Sequence, residues 1–284
     1  MTTRRTILQG LTAGALLAPF LAIERAAAAV ASAPEDIATA KEAANVAHQK
    51  LMAVPGLKMH GDEQVAILMY PGFTALDLVG PHYFFACMMG ATVHLVTTED
   101  DLSPVPSDLG LAIAPTIRMQ DVPTELDILF APGGTAGTVT TMKNEAAMAW
   151  LADRARHARF VTSVCTGSLL LGKAGLLNGR RATSHWAGMD VLPLFGATAI
   201  DERVVTDGNV ITGAGVSAGL DFGLAVVAAL RGRPYAEALM LQAEYAPEPP
   251  FPGGTIAATD PAIAGPMVGM FAGTIAEFKA GATG

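Results

Sequence analysis

The sequence predicts an α/β fold: a doubly wound, mostly parallel sheet sandwiched by helices, of the flavodoxin-like kind. Three observations carry that expectation. Short apolar, β-branched runs alternate with helix-compatible segments along most of the chain, which is the rhythm of βα units. Hydrophobic residues make up 51% of the 284 positions, against 6% aromatic and 15% charged, a bias that suits strands buried on both faces. Finally, residues 160–164 run straight into Cys165-Thr166-Gly167 and a small-residue, Leu-rich helix pattern over 168–177. That is the layout of a nucleophile elbow, where a strand turns sharply into a helix and holds a reactive side chain at the bend.

Taken in order, residues 1–31 read as an export signal. Thr3-Arg4-Arg5-Thr6-Ile7-Leu8 is a twin-arginine pattern, followed by an apolar run over 10–23 and an Ala-rich stretch over 26–31. The run is shorter than the roughly 20 residues a membrane-spanning helix needs. The expectation is a cut near Ala29 or Ala31, no stable membrane span after processing, and a folded product in the periplasm or cell envelope. An uncleaved anchor is the alternative. Residues 32–62 are expected to be a spacer or a packed helix, 63–255 the catalytic domain, and 256–284 a C-terminal loop and weak helix.

Within the domain, residues 65–70 predict a buried strand ended by Pro71-Gly72, 76–89 a helix, and 92–98 a second strand. The Pro-rich stretch 103–122 is irregular, with a β excursion around 109–117. Residues 126–130 predict a strand entering Ala131-Pro132-Gly133-Gly134, and 144–157 an amphipathic helix ahead of the elbow strand. Asp207-Gly208 between 203–205 and 210–212 marks a hairpin. Ser217 is expected to cap a helix reaching about residue 230, and Pro234 to start another. Residues 246–254 form a loop. No internal repeat is evident.

The formal net charge is −8 with no block of Lys or Arg in the body of the chain. Nothing follows a phosphate backbone, so the sequence argues against nucleic acid as a partner. With two cysteines there is neither a disulfide framework nor a Cys-rich metal site. In a doubly wound fold, ligands bind beyond the carboxyl ends of the strands. Segments 70–81, 131–135 and 165–168 should meet there, so they are candidates for one site that takes a small molecule. At the elbow, the helix N-terminus should favour the Cys165 thiolate. Asp77 could shuttle protons beside it or cap its own helix. An N–H of Gly133 or Gly134 could complete an anion hole with that of Thr166, or the pair could be a plain loop. The Thr166 hydroxyl could bond substrate, bond Asp77, or cap its helix. His185 could serve as the base of a Cys–His pair or be structural. Cys87 reads as core, and Asp221 could line the site or hold a helix-surface or packing role. Tyr70, Phe73 and Trp186 are candidate pocket walls.

Two stretches carry a family likeness: Val-Thr-Ser-Val-Cys-Thr-Gly-Ser-Leu-Leu-Leu-Gly over 161–172, and Ala-Gly-Leu-Leu-Asn-Gly-Arg-Arg-Ala-Thr-Ser-His-Trp over 174–186. Pro71-Gly72, the segment 76–81, Pro132-Gly133-Gly134-Thr135 and the segment 241–251 add to it. The chain resembles the ThiJ/PfpI superfamily, with a class I glutamine amidotransferase-like fold, and within it the bacterial isonitrile hydratases. The resemblance implies Cys165 as nucleophile, Asp77 as its acid/base partner, Thr166 as an accessory residue, backbone N–H groups of Gly134 and Thr166 facing substrate, and a homodimer. The implied reaction adds water to an isonitrile through a thioimidate on Cys165, and it needs no metal or organic cofactor. Thr166 stands where peptidase-type members carry His, and Asp77 occupies a different local motif from the glutamate of chaperone and glyoxalase-like members. The leader is not part of the hydratase pattern. Another Cys-dependent hydrolase or glyoxalase-like enzyme is the first alternative, and a non-enzymatic redox-sensing or ligand-binding protein the second.

Overall fold

The computed structural model describes residues 37–283. The expected leader lies outside the described residues. The chain divides into two compact units after residue 54. The first holds helix α1 (Ile37–Met52), a helix within the segment read as a spacer or packed helix.

The second unit, from Pro55 onward, contains the sheet. Its core strands are β1 (Gln64–Met69), β2 (Thr92–Thr97), β6 (Leu126–Ala131) and β7 (Ala158–Val164). Strands β1 and β6 are apolar runs buried on both faces, as central parallel strands require; β7 is buried over its last four residues and β2 over its last two. Strand β5 (Ile117–Arg118) adds one edge, and the hairpin β10 (Val204–Asp207) and β11 (Val210–Gly213) adds the other. The seven strands lie in the order β10-β11-β7-β6-β1-β2-β5, with only the β10–β11 pair antiparallel. Between β2 and β5, two short strands, β3 (Val105–Pro106) and β4 (Ala112–Ile113), form a separate hairpin. It is the excursion expected in that Pro-rich stretch.

Strand order reverses beside β1: the chain runs from β1 out to β5, then returns to place β6 on the other flank of β1. The crevice at such a switch point is where α/β folds bind ligands. Register brings the exits level. Ile67 pairs Phe130, and Ala131 pairs Ser163, so the chain leaves the sheet in step at Tyr70, Pro132 and Cys165.

Helix α2 (Ala75–Ala86) follows β1 and packs on α6 (Ala218–Arg231), which packs in turn on α7 (Arg233–Gln242). Helices α3 (Ala136–Met142), α4 (Glu145–Ala155) and α5 (Gly167–Lys173) pack together as a second group. Phe85, Phe130 and Phe222 knit α2, β6 and α6 through ring pairs 5.4–6.2 Å apart. Asn144 caps α4, its side chain accepting the Ala147 N–H.

Two expectations are corrected and two elements were not foreseen. Helix α3 occupies residues for which the sequence predicted no element. Ser217 makes no cap bond to its helix, because its hydroxyl meets the Arg203 guanidinium instead. Residues 186–195 form a 3₁₀ segment (Trp186–Phe195) between two short strands, β8 (Arg181–Ala182) and β9 (Thr198–Ala199), which the sequence did not announce. The final helix is two, α8 (Pro261–Met270) and α9 (Ala272–Thr283), parted at Phe271. Helix α9 packs on α3 and the 3₁₀ segment, with Phe278 buried. No described helix is long and apolar enough to cross a membrane.

Candidate active site

Cys165 sits at the bend between β7 and α5 with φ of 59°, a left-handed conformation that costs a non-glycine residue roughly 1–3 kcal/mol. The surroundings hold it there. Its N–H is shared between the carbonyls of Gly213 and Ala214, at 3.0 and 2.8 Å. Its carbonyl accepts the hydroxyls of Ser168 and Ser184, both at 3.1 Å. Gly167 completes the bend, since a Cβ there would lie 2.0 Å from the Ala131 carbonyl oxygen. The elbow read from the sequence is present.

The loops after β1 and β6 close against it. The Thr74 N–H donates to the Gly133 carbonyl at 2.8 Å. A Cβ on Gly134 would meet the Gly72 carbonyl oxygen at 2.4 Å, and one on Gly133 would lie 2.6–2.8 Å from Thr166 N, Asp77 Oδ2 and Thr166 Oγ1. Glycine is required at both positions by crowding rather than by φ. The three predicted segments do come together.

Asp77 lies in the first turn of α2 and is fully buried. It does not cap that helix; its Oδ2 accepts the Gly133 N–H at 3.0 Å from across the crevice, and its Oδ1 has no partner among the described residues. Burial pushes its pKa up to about 7, against the lowering effect of the Cys165 thiol and the Gly133 N–H, with a further upward push from Asp108. Asp108 is fixed by the Thr74 hydroxyl, which donates to its Oδ2 at 2.6 Å.

The expectation of a resting thiolate is corrected. Burial and the neighbouring Asp77 charge push the Cys165 pKa well up, and the Thr166 N–H and hydroxyl only partly oppose them. A seven-residue helix does not offset a dry site beside a carboxylate. The resting pair is therefore a thiol facing a carboxyl group that titrates near neutrality. The two interact without a well-aligned hydrogen bond between them.

The expected anion hole is also corrected. The Gly133 N–H is committed to Asp77 and the Gly134 N–H to Thr166 Oγ1, at 3.0 Å each. The Thr166 N–H lies beside the sulfur and lowers its pKa. The Thr166 hydroxyl does not cap α5; it donates to the Gly134 carbonyl at 2.6 Å.

His185 is not joined to Cys165 or Asp77 by any hydrogen bond among the described residues. Its Nδ1 accepts the Ala187 N–H at 3.3 Å and so caps the 3₁₀ segment. Its ring lies 4.9 Å from that of Trp186 and 6.0 Å from that of Phe271, and burial lowers its pKa to about 4. Here the structural reading holds. Of the candidate walls, Phe73 is core and Tyr70 is buried, with its hydroxyl donating to the Pro132 carbonyl at 2.8 Å. Asp221 pairs with Arg203 and Tyr245 at the surface of α6, the helix-surface role among its readings. Cys87 is half-buried against the core and accepts from Gln242.

Sequence reasoning missed Thr138, Ser168, Ser184 and Asp108. Thr138 is fully buried in α3; it donates to the Gly134 carbonyl at 2.6 Å and lies 3.0 Å from Thr166 Oγ1 and 3.2 Å from the Tyr70 hydroxyl. A hydroxyl residue four positions after a glycine pair was the only available signal. Among the described residues, no group of three or more His, Cys, Asp or Glu is placed to hold a metal ion.

The chain is similar to several known proteins. The sequence model of the DJ-1/PfpI family matches residues 63–229. An isonitrile hydratase of Pseudomonas putida is 47% identical over 192 residues, 68% of this chain and 82% of that protein. A deglycase of Thermococcus kodakarensis is 31% identical over 147 residues, 51% of this chain and 86% of that protein. Among solved structures, a ThiJ/PfpI family protein from Pseudomonas syringae superposes with a TM-score of 0.78 at 48% identity, covering 81% of this chain and 94% of that one.

Proposed function

Because this chain belongs to the DJ-1/PfpI family, we propose that it is a cysteine-dependent hydro-lyase that adds water to an isonitrile and releases an N-substituted formamide. The observation that carries the reading is the buried pair of Cys165, a thiol, and Asp77, a carboxyl group poised near pH 7. The terminal carbon of an isonitrile accepts both a nucleophile and a proton. One base that takes a proton from sulfur and returns it to that same carbon meets the whole demand.

In the first step the Cys165 proton passes to ionised Asp77, the sulfur electron pair forms the S–C bond, and Asp77 delivers the proton to the carbon. The product is a thioimidate, –N=CH–S–, on Cys165. In the second step water attacks the same carbon with Asp77 as base. One water proton reaches the nitrogen, the other returns to sulfur as the C–S bond breaks, and the formamide leaves. Nothing is oxidised or reduced. Dividing the addition in two is the usual gain of covalent catalysis.

The committed N–H groups favour this reading over acyl transfer. Amide or ester hydrolysis builds charge on a carbonyl oxygen and needs donors aimed at it, whereas here the N–H groups of Gly133 and Gly134 already serve Asp77 and Thr166. Addition to an isonitrile develops no oxyanion in its first step. The similarity to the Pseudomonas putida isonitrile hydratase supports the same choice.

The test is conversion of cyclohexyl isocyanide to its formamide by purified protein, beside a panel of amides and methylglyoxal. Hydration by wild type that drops to background in Cys165→Ala is expected; equal rates for the two would refute it. Cys165-dependent turnover of methylglyoxal alone would move the assignment to a glyoxalase-like enzyme. The proposal carries with it a homodimer, read by sedimentation, and export by the twin-arginine leader, read by fusing residues 1–31 to a reporter active only after folded export.

A further inference from the structure

We propose that Thr138 is a positioning residue: its hydroxyl keeps the Gly134 carbonyl paired, so that the Thr166 hydroxyl is free to turn to the sulfur of Cys165 when that sulfur gives up its proton. The argument begins with a surplus. The Gly134 carbonyl lies 2.6 Å from Thr166 Oγ1 and 2.6 Å from Thr138 Oγ1, so two buried hydroxyls converge on one acceptor. Tyr70, Thr138 and Thr166 hold one hydroxyl proton each. Their contacts reach Pro132 and Gly134 and link Tyr70 to Thr138 and Thr138 to Thr166. More contacts exist than protons to fill them, so the protons can be rearranged without moving heavy atoms.

The rearrangement has a use at the sulfur. The Thr166 hydroxyl is within reach of Cys165 as well as of Gly134. If it were the only donor to the Gly134 carbonyl, turning it to a thiolate would leave a buried acceptor unpaired, at a free-energy cost. Thr138 removes that cost, since its own donation to Gly134 persists. Its place on α3, one helical turn after Gly134, makes the bond local and therefore firm. The groups facing Cys165 are Asp77 from α2 and the Tyr70 phenol at the end of β1. Asp108 of the hairpin loop acts through Asp77, and His185 titrates at about 4. None of these can replace a hydroxyl donor at Gly134.

The inference deepens the proposed function, in which sulfur attacks after losing its proton, yet its test needs no turnover. The second-order rate of Cys165 alkylation by iodoacetamide follows the thiolate fraction and can be read by mass spectrometry on the full, folded chain from pH 7 to 9. Thr138→Val is expected to slow it about tenfold, the effect of one buried hydrogen bond. Thr138→Ser should restore it, and adding Thr138→Val to Thr166→Val should change nothing further. A wild-type rate in Thr138→Val, or a Thr138→Val loss that multiplies the loss of Thr166→Val, would overturn the proposal. Should valine prevent folding, Thr138→Ala gives the same reading. A crystal structure of the wild type with ionised Cys165 and Thr166 Oγ1 still turned away from Sγ would overturn it regardless of the variants. Absence of isonitrile turnover with the alkylation pattern intact would refute the hydratase reading alone.

Discussion

Asp77 is the residue at which chemistry and stability pull apart. Its pKa is raised from 3.8 to about 7, chiefly by burial, so the folded chain holds a proton there that the unfolded chain has released. Stability from this group is complete below about pH 4 and is lost as pH rises through 7, the reverse of a salt-bridged carboxylate. The whole loss is at most about 4 kcal/mol. Asp77→Asn should therefore be more stable than wild type at pH 8 and equal to it near pH 4 in urea titrations; an asparagine variant without that pH-dependent gain would contradict the burial argument. Turnover should move the other way. With the thiol protonated at rest, the competent form is ionised Asp77, so kcat/KM for the isonitrile should climb as pH rises through about 7. A rate that declines over that interval would assign the productive form to the protonated acid.

At the scale of elements, the site is three strand exits held so close that side chains do not fit between them. Gly133→Ala should lower stability, because its Cβ would press on the Thr166 backbone, and should cost at least about 1.4 kcal/mol of activation free energy, or tenfold in kcat. The reason is that this Cβ would lie 2.6–2.8 Å from Thr166 N, Asp77 Oδ2 and Thr166 Oγ1. Steady-state kinetics beside a melting curve would check both halves, and full activity would mean the loops yield more readily than their packing implies. The strands bordering the site were readable because buried parallel strands write continuous apolar runs, and the elbow because Cys-Thr-Gly followed one directly. Helix α3 was not. Its sequence AGTVTTM is rich in β-branched residues and shows no apolar stripe; it persists because the chain around it is buried and Thr138 bonds back to Gly134. His185 stayed open between two roles for a related reason: nearness along the chain placed it beside the elbow, while packing gave its ring to Trp186 and Phe271. The thiolate expectation failed because a helix-terminus rule applied to sequence carries no measure of burial.

Across the whole molecule, the catalytic edge has a structural counterpart at the opposite ends of the strands. Arg231, at the end of α6, is fully buried and pairs with Glu63, which lies just ahead of β1. Its guanidinium also donates to the carbonyls of Lys58, Met59 and Met89, at 3.2, 2.9 and 3.0 Å, and packs over the Tyr235 ring. One side chain thus joins the segment entering β1, the turn before β2 and the α6–α7 junction. Arg231→Met would leave a buried carboxylate and the carbonyls of Lys58 and Met59 without their donor, while the Met89 carbonyl keeps the Gly61 N–H. A loss of about 3–5 kcal/mol is expected, the usual result of removing one partner of a buried pair. Adding Glu63→Gln to Arg231→Met should recover part of that loss, because the stranded charge is gone while the carbonyls stay unpaired. Folded Arg231→Met protein should still alkylate at Cys165 at the wild-type rate, since none of its lost bonds reaches β7 or α5. Urea midpoints for the single and double variants, read beside that alkylation rate, decide the matter. Equal midpoints for wild type and Arg231→Met would show the clamp to be dispensable, and a changed Cys165 rate would show that the two edges of the sheet are coupled.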